Sequence, residues 1–370
     1  MPPRIVVAGG GFAGLRAAQA LAGHAARGAC DLILISDQPN FLYRPGMSGL
    51  AVGRLGPKDI TRPLAGTRVA RLARLVIAPV TGIDPDRHVV QAGAERIPYD
   101  ALILAIGSVP DRSVVRGLDP FGYNIWTIEG ALTFREHLQA GAKRVVVAAD
   151  HTSPCAYGMY EIAMMVARMK KRVELVTTEH GPGSLISPIA RRVLEVLADR
   201  LGVRVHPGRR VVEVSRRGVA LDDGTTVDAD AALVSPPPCA HPVTRDLGPG
   251  AARSGLVLTR ASLASVRWSG LFAAGAVTAL PPPLTAHVSE QMGITAARNA
   301  LAAAGARKGP LRPFTPSVAT LLHFGRWYGL LHYLTPAGAF GPPRFRLGIG
   351  GWPLGALKDL FRRAYLAARL

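Results

Sequence analysis

The 370-residue chain is short of cysteine, of acidic residues and of long apolar runs. Its three cysteines (Cys30, Cys155 and Cys239) are too few for a disulfide framework, and no CxxC pair occurs. Such usage fits a reducing, cytoplasmic setting. No stretch reaches the roughly 18 apolar residues that a spanning helix needs, so a membrane role is expected to be peripheral. The start, MPPRIVVAGGG, enters a strand pattern at once, so no signal peptide is expected before it. No solenoid-length repeat and no metal-ligand cluster stand out, and no metal is expected. Acids number 25 against 44 Lys and Arg, a net charge of +19. A field of that sign attracts anionic lipid, anionic ligands or nucleic acid, unless it reflects only an Arg-rich composition. No recognised nucleic-acid module accompanies it, so nucleic acid is the poorer reading.

What is present is enough chain for two or three domains, with 48 % hydrophobic residues to build a core. Arg4–Ala8 is a β-branched run of the buried-strand type. Gly9-Gly10-Gly11-Phe12-Ala13-Gly14 follows, and Leu15–Ala22 then reads as a helix. In this GxGxxG, Gly9 allows the tight turn and Gly11 lets the backbone approach a pyrophosphate. Gly14 lets the helix pack close to the strand, with the helix N-terminus toward the phosphates. Phe12 and Ala13 complete the loop. An acid about 20 residues on is expected to bind ribose hydroxyls. Ser36 takes that position and Asp37 the next, and the contact is open between them.

Three further segments carry a family resemblance. Asn40-Phe-Leu-Tyr-Arg44-Pro45, then Gly53, Asp59-Ile60 and Arg62-Pro63-Leu64, resembles the segment after the second strand in type II NADH dehydrogenases and sulfide:quinone oxidoreductases. Tyr99-Asp100-Ala-Leu-Ile-Leu-Ala105-Ile-Gly107-Ser108 is similar to their second signature, YDxLxxATGS, with Ile106 for Thr. Gly270-Leu-Phe-Ala-Ala-Gly275-Ala276 resembles their third, GxFAxGD. The resemblance implies an α/β protein with two Rossmann-like dinucleotide-binding domains. A discontinuous FAD domain (1–110 and 240–309) would carry an inserted NAD(P)-binding-like domain (111–239), and 310–370 would form a C-terminal membrane-surface helical segment. It implies FAD as cofactor, NAD(P)H as a possible substrate, and two electrons passed from a donor through FAD to a quinone. Within the insert, Arg144–Ala148, Val173–Val176, Val203–His206, Val211–Val214 and Ala231–Ser235 read as strands, with helices at Tyr160–Met169 and about Pro188–Leu201.

Departures from the family pattern bear on function. Ala276 stands where an Asp would bind the ribityl chain, a loss of about 0.5–1.5 kcal/mol; this leaves a non-catalytic FAD-binding scaffold as an alternative. After the first inserted strand, Ala148-Ala-Asp150-His-Thr-Ser-Pro154-Cys155 replaces the second glycine loop, and Asp150 opposes a pyrophosphate there. Cys155 with Tyr160-Glu161 resembles a stretch in sulfide:quinone oxidoreductases and flavocytochrome c sulfide dehydrogenases, where the Cys attacks or carries sulfur beside the flavin. A helix N-terminus would favour its thiolate; the other reading is a small buried residue. Cys239, where the chain crosses back, could approach Cys155. Glu161 matches a family Glu near the flavin and, if buried and raised in pKa, could relay protons; otherwise it is a surface acid. His287 and Gln291 occupy the two Gln positions of the AQxxxQ pattern, and His287 could donate a proton to a reduced quinone or simply cap local structure. The donor reading that leads is sulfide-like through Cys155, with NADH as the alternative.

Beyond Gly309 the pattern turns apolar, aromatic and basic. A helix is expected after Pro353, with Leu354, Leu357, Phe361, Ala364, Tyr365 and Ala368 on one face and Lys358, Arg362 and Arg369 elsewhere. That composition suits an interfacial helix on the anionic inner face of the cell membrane, apolar face down and cations toward lipid phosphates. Docking on the protein's own core or on a twin subunit in a homodimer is the other reading.

Overall fold

The computed structural model describes residues 1–252, 254–281, 284–325, 328–336 and 343–368. Its frame is a pair of parallel sheets, each of five strands. In chain order the elements that matter are β1 (Arg4–Ala8), α1 (Phe12–Ala25), β2 (Asp31–Ser36), α2 (Met47–Ala51), β3 (Arg74–Ile77), β4 (Ala101–Leu104) and β5 (Val109–Pro110). Then come β6 (Gly122–Tyr123), β7 (Arg144–Ala149), α3 (Ala156–Arg168), β8 (Arg172–Thr177), α4 (Pro188–Leu201), β9 (Arg204–Pro207), β10 (Ala231–Ser235), β11 (Pro238–Cys239), β12 (Leu271–Ala273) and α5 (Ala286–Ala303). The chain closes with β13 (Val318–His323), β14 (Gly329–Pro336), β15 (Pro343–Gly351) and α6 (Leu354–Ala368).

The first sheet runs β12-β4-β1-β2-β3 and the second β6-β10-β7-β8-β9, every pairing parallel. Parallel strands covered on both faces need near-continuous apolar runs. RIVVA, DLILIS, ALIL and RVVVAA supply them and are buried almost throughout. Helix α5 crosses α1 so closely that a Cβ at Gly293 would lie 2.1 Å from the Ala13 carbonyl oxygen. β5 and β11 pair antiparallel, Val109 opposite Cys239, and form a narrow ribbon where the chain leaves the first sheet and returns to it.

Two elements depart from expectation. Helix α3 begins at Ala156, four residues earlier than predicted, which puts Cys155 at its N-cap. β13, β14 and β15 form an antiparallel sheet, so the described part of the C-terminal segment is helical only from Leu354. Arg369, which figured in the sequence reading of the tail, lies outside the described residues. No helix among the described residues is long and apolar enough to cross a membrane.

Candidate active site

The first site is a backbone cradle at the C-terminal edge of the first sheet. Gly9 has φ +124°, and a Cβ there would meet the Ala105 carbonyl oxygen at 2.3 Å. A Cβ on Gly14 would strike the Gly9 oxygen at 1.7 Å. Both contacts explain why only glycine fits, since β1, α1 and the end of β4 converge here. Gly11 and Gly107, by contrast, face open space. Ser108, next to Gly107, has a buried hydroxyl with no partner. Open backbone at the N-terminus of α1 plus an orphaned hydroxyl on the second signature fits a dinucleotide's phosphates and polar linker. Phe12 packs edge-on to Phe41 at 5.0 Å, and Ala13 lies 3.1 Å from the Cβ position of Gly275, so the third signature closes on the first. Ala276 follows, half-buried.

Ser36 and Asp37 differ in burial. Ser36 is buried, its hydroxyl donates to the Gln38 carbonyl at 2.7 Å, and it lies under Gly10. Asp37 is exposed, one residue past the end of β2.

At the matching edge of the second sheet, residues 150–155 carry no glycine, and a small cleft beside them is lined by Asp150, Thr178, Arg210 and Ser235. The Asp150 carboxylate is buried and accepts from the Thr152 N–H (2.9 Å) and hydroxyl (2.5 Å), with Arg210 at 3.7 Å. His151 is held on Thr178, and the Ser153 and Ser235 hydroxyls meet at 2.7 Å. Glu179, just past β8, turns inward: it accepts from the Tyr160 hydroxyl, the Ser184 hydroxyl and the Leu185 N–H. Side chains thus fill the loop that a second glycine motif would leave open.

Cys155 sits half-buried at the N-cap of α3. Burial pushes its thiol up, and the nearby Arg44 guanidinium opposes this only in part. The expected thiolate stabilisation by the helix terminus is therefore overridden by desolvation. Arg44 itself donates to the Trp126 carbonyl at 3.0 Å, and Pro45 follows it, partly exposed. Cys155 and Cys239 are both free thiols, so no disulfide joins them. Cys239 has the Arg245 guanidinium 3.9 Å from its sulfur.

Glu161 is buried, and its environment is richer than the sequence suggested. Its Oε2 accepts from the Ser48 hydroxyl (2.5 Å), while Oε1 accepts from the His323 N–H (2.6 Å) and from Lys358 Nζ (2.5 Å). A charge-assisted pair thus ties α3 to α6. His287 Nε2 lies 3.2 Å from the Ser317 hydroxyl, and burial pulls its pKa down, with Glu290 opposing. Gln291 grips the Ser317 backbone through both its amide nitrogen (2.8 Å) and its oxygen (2.9 Å). The two residues therefore clasp the strand entering β13.

Sequence reasoning did not bring Ser48 or His323 to this site, and it read Lys358, Arg362 and Tyr365 only as parts of an interfacial helix. The signal was a stripe: 358, 362 and 365 stand i, i+4, i+7 on one helix face. Tyr365 packs on Tyr43 at 5.3 Å and Phe12 at 5.7 Å and donates to Glu290 at 2.8 Å. Arg362 donates to the Asp59 carbonyl at 2.6 Å. Lys358 and Arg362 thus point inward, contrary to the expected orientation toward lipid. They do so because Glu161 and the Asp59 carbonyl offer acceptors there. Leu357, Leu360 (63 % exposed) and Phe361 (55 %) face outward instead, near Trp352 (65 %).

The comparisons agree with this geometry. The pyridine nucleotide-disulphide oxidoreductase family profile matches residues 3–304. An NADH dehydrogenase-like protein of Mycobacterium tuberculosis is 30 % identical over 298 residues, 75 % of this chain and 73 % of that one. The sulfide-quinone reductase of Aquifex aeolicus is 27 % identical over 333 residues, covering 81 % and 76 %. The solved sulfide:quinone oxidoreductase of that hyperthermophilic bacterium superposes with a TM-score of 0.89 at 23 % identity, over 99 % of this chain and 91 % of that one. NDH2 of Plasmodium falciparum gives 0.77 at 11 %, over 100 % and 95 %. With its Rossmann-type sheets and its glycine cradle, the chain belongs to the pyridine nucleotide-disulphide oxidoreductase family and is an FAD-dependent oxidoreductase.

Proposed function

We propose that this enzyme oxidises a sulfide-type donor and reduces a quinone at the inner face of the cell membrane. The carrying observation is the contrast between the two loops. The first leaves glycine backbone open for a dinucleotide; the second is filled by Asp150, His151 and Ser153 and ends in Cys155 beside Arg44. Residues 1–110 with 240–309 would form the FAD unit, 111–239 the insert and 310–370 the membrane segment.

When bound, FAD supplies the two-electron step between donor and acceptor. Gly9, Gly11 and Gly14 would hold its pyrophosphate, Asp37 its ribose, and Gly107, Gly275 and Ala276 would close over its remainder. Arg44 provides the positive field that draws a hydrosulfide anion toward Cys155. The net chemistry balances as sulfide plus quinone giving zero-valent sulfur and quinol, two electrons and two protons passing to the quinone. Glu161 and His287 are the residues proposed to serve the proton transfers on that side. The exposed Trp352, Leu357, Leu360 and Phe361 form an apolar surface suited to the interfacial layer, where a lipid-phase quinone is found.

NADH as donor is the second reading, favoured by the likeness to the mycobacterial NADH dehydrogenase-like protein. Steady-state quinone reduction separates the two. The expected result is sulfide-dependent turnover that Cys155→Ser reduces at least about 100-fold, the range for loss of an activated nucleophile. NADH turnover exceeding sulfide turnover, with Cys155→Ser inert on both, would reverse the assignment.

A further inference from the structure

We propose that the start of α4 and the outer strand β15 form a second contact with an anionic lipid bilayer, so that the inserted unit rests on the membrane beside α6. This extends the membrane-surface reading of α6, on which it rests, to a unit that reading leaves in solvent.

Single exposed apolar side chains are ordinary on a protein surface, but a contiguous run of them is not. Leu185 (53 % exposed) stands just before α4 and Ile189 (48 %) in its first turn, with the exposed Arg192 three residues on along the same side. Ile189 Cγ2 lies 3.0 Å, and Val193 Cγ2 3.1 Å, from where Cβ atoms on Gly348 and Gly350 would stand. Glycine at these two places lets β15 lie against α4. Leu347 and Ile349 alternate with them, point to the other side of the strand and are exposed. β15 is the outer strand of its sheet and runs through Trp352 into α6, where Leu360 and Phe361 are exposed too. The apolar surface of α6 therefore continues, through β15, to the start of α4.

The loop that presents Leu185 is fixed from inside. The Leu185 N–H donates to Glu179 Oε2 at 2.8 Å, and the Ser184 hydroxyl donates to the same oxygen at 3.0 Å. Glu179 is buried and is held in turn by the Tyr160 hydroxyl at 2.7 Å. On the other side, the Ser187 hydroxyl caps α4 by accepting from the Ala190 N–H at 3.0 Å. A loop pinned at both ends holds its leucine outward in advance, so little ordering is left to be done on binding.

Charge selects the occupant. Arg192 on α4 and Arg363 on α6 are exposed, and no carboxylate pairs with either among the described residues. The nearest acids in sequence, Glu195 and Asp359, are paired with Arg191 at 2.6 Å and with Arg54 at 2.7 Å. Apolar side chains flanked by free cations match a bilayer with anionic headgroups, the phosphates at the level of the guanidinium groups. A second copy docking through the same face would set like charges against each other.

The test uses full-length, FAD-loaded protein and vesicles of phosphatidylcholine with and without phosphatidylglycerol. Sedimentation is compared for the wild type, Leu185→Ser with Ile189→Ser, Arg192→Gln, and Leu360→Asp with Phe361→Asp. The control is Phe121→Ser, an exposed residue on the opposite face of the second sheet from α4. An environment-sensitive fluorophore is also attached at Ile189→Cys in a Cys239→Ser background. Binding to phosphatidylglycerol vesicles should weaken at least about tenfold in Leu185→Ser with Ile189→Ser, as two half-exposed side chains lose their apolar contact. Arg192→Gln should lose about fivefold on those vesicles and nothing on phosphatidylcholine alone. Phe121→Ser should bind like the wild type, and emission from position 189 should shift to the blue when vesicles are added. If the wild type binds no vesicles, this proposal and the membrane reading of α6 fail together. If Leu360→Asp with Phe361→Asp loses binding while Leu185→Ser with Ile189→Ser binds like the wild type, this proposal alone fails. It also fails if the blue shift follows protein concentration without vesicles, which would assign the face to a second copy.

Discussion

Replacing Lys358 by Met should unlatch the C-terminal helix from α3, and the cost can be worked from the pair it breaks. Glu161 is 1 % exposed and keeps its Ser48 and His323 N–H donors when Lys358 is removed, but loses the cation bonded to it. Breaking a buried pair from one side costs about 3–5 kcal/mol, and the two remaining donors place the expectation at the lower end, about 3 kcal/mol. Replacing both partners (Glu161→Gln with Lys358→Met) removes the stranded charge, so the double variant should be more stable than Lys358→Met by about 1–2 kcal/mol. Urea unfolding of the four proteins gives the cycle directly. Limited proteolysis after Gly351 should accelerate in Lys358→Met. A loss below about 1 kcal/mol, or strictly additive single effects, would refute the claim that this pair fastens α6 to the second sheet.

Three further outcomes follow from the same geometry. His323 has its pKa lowered to about 4 by burial first and by Arg54 next. The unfolded chain takes up a proton near pH 6.5 while the folded one does not. Stability is therefore full above pH 6.5 and falls by about 3 kcal/mol between pH 6.5 and 4; His323→Asn should flatten that part of the urea profile relative to wild type, and an unchanged slope would contradict it. Because burial raises the Cys155 thiol against the pull of Arg44, iodoacetamide should modify it more slowly than a free thiol at pH 8, and Arg44→Gln should slow it further. Reaction as fast as in an unstructured peptide would show that the sulfur is not shielded. Leu360→Asp with Phe361→Asp should weaken liposome sedimentation roughly 100-fold, from loss of about 3 kcal/mol of apolar burial; equal binding would place the contact on another surface.

How much of this was legible beforehand differs by element. The first loop was readable because its glycines answer local demands: Gly9 and Gly14 are fixed by contacts within β1, α1 and the end of β4. The strands β7, β8 and β10 and the helix α4 showed in their apolar runs and in Pro188 at the helix start. The orientation of α6 was not readable. Its apolar residues define a face, but the buried face is turned about a third of a turn away, through Gly355, Arg362, Tyr365 and Leu366. Acceptors distant in sequence decide this, Glu161 for Lys358 and the Asp59 carbonyl for Arg362. The strands β13, β14 and β15 were obscured for a similar reason, since their pairing is set by partners rather than by period-2 alternation. The Cys155 environment depends on Arg44, 111 positions earlier in the numbering, and on burial that no local motif announces.

A flavin held by the N-terminal glycine backbone and reduced from the Cys155 side gives a direct optical signal. The most direct measurement is an anaerobic titration of the purified protein followed by flavin absorbance. The prediction is a yellow protein that bleaches with stoichiometric sulfide, stays oxidised with NADH, and loses the sulfide response in Cys155→Ser. A colourless protein that takes up no FAD, or one that NADH bleaches while sulfide does not, would contradict it.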